Sequence, residues 1–106
     1  MVVVSDTSPL TKLLAIDRFQ LLAELYDAVA VPEAVVEEIK IDPDKPGPKQ
    51  GQIPKEELGN LSWMKIKQVD NHDLVRSLTR ELDSGESEAI ALAVETEAEL
   101  LLIDER

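Results

Sequence analysis

Three short, uninterrupted apolar runs constrain this chain most: Val2-Val3-Val4, Ala28 to Val31 and Leu100 to Ile103. Their apolar residues are consecutive instead of alternating with polar ones, the pattern of a strand covered on both faces. Each run ends at a polar residue or a proline: Ser5-Asp6, Pro32 and Asp104. Between them the spacing becomes helical. Ser8 followed by Pro9 reads as an N-cap with proline in the first turn, continued by Leu10, Leu13 and Leu14. A second helix is expected from Asp17, with Phe19, Leu22, Ala23 and Tyr26 on one side, and a third opens at Pro32 and runs to Lys40. Trp63 to Lys67 reads as a further strand, with Met64 and Ile66 on one face and Lys65 and Lys67 on the other. Leu74, Val75, Leu78 and Leu82 mark an amphipathic helix, and Glu86 to Glu95 another. Strands alternating with helices predict an α/β fold with a mainly parallel central sheet. Such sheets collect ligands at the carboxyl ends of strands, where the strand order reverses. Asp6 and Asp104 both stand at strand ends.

The 106 residues suffice for one domain, 1–106, and not for two. Four of the six prolines and three of the four glycines fall in residues 41–60, which predicts a long surface loop or lid there. With no cysteine and one histidine, thiolate zinc sites, disulfides and a cysteine nucleophile are excluded. A bound metal would be held by oxygen. The formal charge of −11, from 22 acids against 11 bases, gives no broad basic footprint for a phosphate backbone. Carboxylates that hold divalent cations reverse that sign locally, so chemistry on phosphodiesters stays open. No apolar run is long enough to cross a bilayer and no signal peptide is evident, so a soluble cytoplasmic protein is expected.

Most of the acids fit solvated helix faces and first turns. The informative ones fall on apolar faces. Advancing about 100° per residue places Glu86 among Ala89, Ile90 and Ala93, inside the buried stripe, while Glu88 points to solvent. On the helix after Pro32 the apolar face is centred on Val35, Val36 and Ile39. Glu38 lies at its border and Glu37 nearly opposite, so Glu38 is the inward candidate. Taken singly, each acid has an ordinary use as a cap or a surface charge. Held together, such acids would raise one another's pKa values and protonate unless a cation offsets them. Asp6 and Asp104 from strand ends, with Glu38 and Glu86 from helices, would form an oxygen-only site suited to Mg²⁺ or Mn²⁺, with the hydroxyls of Ser8 and Thr7 beside it.

The same residues resemble the PIN domain, and within it the VapC-like branch. The resemblance runs through Val3-Val4-Ser5-Asp6-Thr7-Ser8-Pro9-Leu10, then Val31-Pro32-Glu33-Ala34-Val35-Val36-Glu37-Glu38-Ile39. It continues through Leu82-Asp83-Ser84-Gly85-Glu86-Ser87-Glu88-Ala89-Ile90-Ala91-Leu92-Ala93 and ends in Leu101-Leu102-Ile103-Asp104-Glu105-Arg106. It implies a three-layer sandwich, here C-terminally short, because the family continues with a further helix and edge strand after its fourth acid. It also implies a Mg²⁺- or Mn²⁺-dependent endoribonuclease with Asp6, Glu38, Glu86 and Asp104 as catalytic metal-binding acids. Ser8, or else Thr7, takes the substrate-positioning hydroxyl beside the first acid. The implied partners are a single-stranded or structured RNA substrate, a cognate antitoxin peptide and a second copy in a homodimer, with no membrane. The alternative is a catalytically inactive or truncated PIN-fold interaction module.

Two other phosphate-handling folds fit less well. A receiver-like domain needs an acidic pair after the first strand, an aspartate ending the third and a late lysine, yet Ser5 precedes Asp6 and no lysine follows Lys67. A haloacid-dehalogenase-like phosphatase needs an aspartate where Ser8 stands. His72, between Asn71 and Asp73, reads as a surface residue, and Trp63 as packing at a sheet edge or dimer contact in preference to stacking on a base. Lys12, Arg18, Lys65 and Lys67 are the cations available to steer RNA.

Overall fold

The computed structural model describes residues 2–41, 44 and 51–103. Its centre is a four-stranded, wholly parallel sheet with the order β3-β2-β1-β4. The strands are β1 (Val3–Ser5), β2 (Val29–Pro32), β3 (Met64–Lys67) and β4 (Leu100–Leu102). Val4 pairs with Ala30 and Leu101, and Ala30 pairs with Lys65. Alternation along the strands sends Val3, Val29, Val31 and Met64 to one face and Val4 and Ala30 to the other, so each face has its own core.

On the first face lie α1 (Thr7–Ala15), α2 (Leu21–Tyr26), α3 (Glu33–Ile39) and α4 (Lys55–Gly59), which contribute Leu10, Leu22, Val35, Ile39 and Leu58 to the core. On the second lie α5 (His72–Leu78) and α6 (Ser84–Glu95), whose Ala89, Ala91 and Leu92 cover Val4 and Ala30. Helices on both faces of a parallel sheet make the three-layer α/β sandwich that the alternating pattern predicts. Burying side chains such as Leu10, Val31 and Ile39 stabilises the fold by about 1.5–3 kcal/mol each before conformational entropy is charged against it. Trp63 packs inside, edge-on to Phe19 with ring centroids 5.1 Å apart, as core and not as a base platform. His72 is exposed at the first position of α5. Among the described residues no helix is long and apolar enough to cross a membrane.

Several local expectations are corrected. Asp6, not Ser8, caps α1: its Oδ1 accepts the Thr7 N–H at 2.7 Å, and Pro9 stands in the first turn as expected, as the third helical residue. The second helix starts at Leu21 instead of Asp17, because α1 closes with a Schellman turn. Asp17 takes φ 57°, its N–H bonds the Leu14 carbonyl, and the Arg18 N–H bonds the Leu13 carbonyl. Glu97, at φ 52°, ends α6 in the same way. Both turns use an acidic residue where a glycine is the usual signal, so the sequence did not mark them. The proline-rich segment is not irregular throughout. Ile53 forms a parallel bridge with Lys40, and Ile53 and Leu58 are buried in the first core. Ile66 shares Met64's side of β3 but is 46% exposed, because β3 is an edge strand and the helical layer does not reach its far end. Glu88 is half-buried where solvent was expected. Its Oε1 accepts the Ala34 N–H at 3.2 Å, satisfying an orphan donor in the first turn of α3, which Pro32 cannot cap with a side chain.

Candidate active site

The strand order reverses at β1: β2 and β3 extend to one side of it and β4 lies on the other. That is where an open parallel sheet leaves a crevice at its carboxyl edge. Asp6 is the first residue beyond β1, 8% exposed, and its N–H bonds the Leu102 carbonyl of β4 at 3.0 Å. The cap it forms on α1 fixes its carboxylate at the helix N-terminus, where the helix dipole favours negative charge. The sequence therefore uses one residue for two purposes: ending the strand and opening the helix, with its charge held at the sheet edge.

Glu38 reaches the same region from the last turn of α3. The residue as a whole is exposed, but its carboxyl end lies against the first turn of α6, where it faces Thr7 and Gly85. Burial of that end raises the carboxyl above the ordinary glutamate range, and the charges of Asp83 and Asp6 push it up further. The Thr7 hydroxyl and the Gly85 backbone amide act in the opposite direction, favouring the charged form. Thr7 Oγ1 is itself buried and makes no hydrogen bond of regular geometry, so it is an unsatisfied polar atom directed at a carboxylate.

The raised carboxyl links this corner to stability. An acid whose folded pKa is raised binds its proton more tightly when folded, so its ionised form opposes folding above that pKa. The opposition fades as pH falls through the raised value towards the ordinary glutamate range, and below both values it is gone. Without divalent cation, Glu38→Gln should therefore raise the Tm at pH 7, and the gain should shrink on acidification through that window. Thermal melts of both proteins across pH check this.

The acids picked out by sequence fall in three groups. Asp6 and Glu38 are brought together. Glu86 is half-buried at the third position of α6, where its N–H is held by Asp83 Oδ1 at 2.8 Å. Among the described residues the charges that act on Glu38 are those of Asp83 and Asp6, and Glu86 is not one of them. Asp104 lies outside the described residues. Of the two hydroxyls, Thr7 faces the carboxylate. Ser8 is half-buried, and its carbonyl accepts the Thr11 hydroxyl at 3.1 Å.

Two participants escaped the sequence reading. Asp83 supplies a charge that acts on Glu38, and Gly85 supplies the space Glu38 occupies. A glycine inside the first turn of a helix, without a turn to justify it, was the available signal. The donor set is composed of oxygen, with crowded carboxylates and an unsatisfied hydroxyl, and in kind it suits a hard divalent cation. Among the described residues no three acids stand close enough to hold one by themselves.

The sequence matches the PIN domain over residues 2–106. No curated protein and no solved structure matches it. With a parallel sheet flanked on both faces by helices and acids gathered at its carboxyl edge, the chain belongs to the PIN domain family, whose fold is in general that of a nuclease.

Proposed function

We propose that this PIN domain is a divalent-cation-dependent endoribonuclease of the VapC-like branch, the toxin of a toxin-antitoxin pair, acting in the cytoplasm as a homodimer and restrained by a cognate antitoxin peptide. The observation that carries the reading is the setting of Glu38 at the carboxyl edge of the sheet: burial of its carboxyl end raises it above the ordinary glutamate range, and the charges of Asp83 and Asp6 push it up further. Such an arrangement costs stability unless positive charge is supplied. A site selected for packing alone would not keep it.

In this reading Asp6, Glu38, Glu86 and Asp104 hold Mg²⁺ or Mn²⁺, with Asp6 and Asp104 as direct ligands. When bound, the cation supplies a hydroxide from water at neutral pH and offsets charge on the scissile phosphate and leaving oxygen. The protein's own part is positional. The α1 cap fixes Asp6, the Thr7 hydroxyl and the first turn of α6 fix Glu38, and Ser8 or Thr7 offers a hydroxyl to the substrate. Lys65 and Lys67 are exposed on β3, whose carboxyl end lies on the same rim of the parallel sheet as Asp6, and they are cations available to RNA arriving there.

Incubation of the purified protein with a single-stranded RNA tests this. Cleavage should require Mg²⁺ or Mn²⁺, stop on addition of chelator, and fail in Asp104→Asn. Cleavage that persists in chelator overturns the metal-dependent mechanism. Absence of cleavage with either cation leaves the chain as a PIN-fold interaction module. The toxin role is read separately, as growth arrest on expression that Asp6→Asn relieves.

A further inference from the structure

Gly85 stands at the second position of α6, where the interior of a helix would favour alanine over glycine. Its backbone gives no reason for the choice, since among the described glycines only Gly51 has a left-handed φ. Space gives one. A Cβ at position 85 would lie 2.6 Å from Glu38 Oε1, 2.9 Å from Thr7 Oγ1 and 3.3 Å from Glu38 Cδ. Those separations are below van der Waals contact. The atoms that would be struck are the reactive ends of two side chains at the candidate site, not the backbone of a packed layer.

We propose that Gly85 is the positioning residue of the site: its missing side chain lets the Glu38 carboxylate and the Thr7 hydroxyl come up against the first turn of α6 and fixes where Glu38 points. The first-turn amides of a helix lack intrahelical partners and attract carboxylate. In α6, Asp83 takes the Glu86 N–H, and the Gly85 amide is the one turned to Glu38. A Cβ at 85 would take up the space in which Glu38 Oε1 lies beside that turn. A carboxylate on a flexible stem can swing away, so the added methyl displaces Glu38 without dismantling the core.

That displacement matters for catalysis only if the nuclease reading holds, but the contact itself does not depend on it. The test therefore has a metal-free arm. Thermal melts in chelator are compared for the parent, Gly85→Ala, Glu38→Ala and the double variant. The methyl should be at least about 4 °C less favourable in the parent than in the Glu38→Ala background, where the two Glu38 atoms it strikes are gone and only the Thr7 hydroxyl remains. Equal shifts in both backgrounds overturn the proposal.

The second arm measures Mn²⁺ binding by calorimetry. Gly85→Ala should weaken it roughly ten- to hundredfold, the range seen when a group that orients a ligand is lost. Adding Glu38→Asp to Gly85→Ala, which draws the carboxylate back by one methylene, should restore part of that loss, which a general weakening of the fold would not allow. Parent-like Mn²⁺ affinity in Gly85→Ala overturns the proposal. Coupled melts with a parent that binds no Mn²⁺ would sink the nuclease reading and leave the contact standing.

Discussion

In the proposed nuclease, Asp6→Asn is expected to lower RNA cleavage by about 10²-fold or more while leaving the fold in place. The magnitude is that of removing one electrostatic group aimed at the charge that develops in a transition state. The contrast with folding comes from Asp6 also being the N-cap of α1. Asparagine is as good a cap as aspartate, so its side-chain oxygen can still accept the Thr7 N–H, and only the charge is lost. Asp6→Ala removes both and should in addition destabilise the protein by about 1 kcal/mol. Single-turnover cleavage rates paired with thermal melts separate the effects. Asp6→Asn with parent-like cleavage would remove Asp6 from the reaction.

Ile39→Ala should be the most destabilising change near the site, at about 2–5 kcal/mol, out of a total near 5–15 kcal/mol for a domain of this size. Ile39 is fully buried in the core beneath α3, together with Val35, Val31 and Leu10. The residue after the Glu38 carboxylate is thus what anchors the end of its helix. Ile66→Ala should stay within about 0.5 kcal/mol, because Ile66 is 46% exposed on the edge strand. Urea titrations of the two variants give the comparison, and a small loss for Ile39→Ala would mean that α3 is held by something other than this core.

The strands, the parallel sheet and the assignment of apolar faces were legible in the sequence because burial on two faces demands consecutive apolar residues. Three runs met that demand without ambiguity. Helix starts were legible where a proline marked them, as at Pro32, whereas α6 opens at Ser84 under the Asp83 cap, ahead of the expected Glu86. They were misread where a left-handed turn used Asp17 in place of glycine. Glu88 was misread because a helical wheel knows only one apolar face, whereas α6 is packed against α3, α5 and the sheet together. In that setting a polar residue facing a neighbouring helix terminus is useful, not misplaced.

By itself, then, the sequence determined the layers, the order of the elements along the chain and the strand end where Asp6 stands, since these follow from local periodicity and burial. Only the tertiary structure decided which acids share a corner. Glu38, Asp83 and Asp6 are far apart in the chain and are brought together by the packing of α3 against both α6 and α1. The role of Gly85 was decided at the same level. Its value lies in an absent side chain, and what that absence admits depends on the neighbour that folding delivers to it.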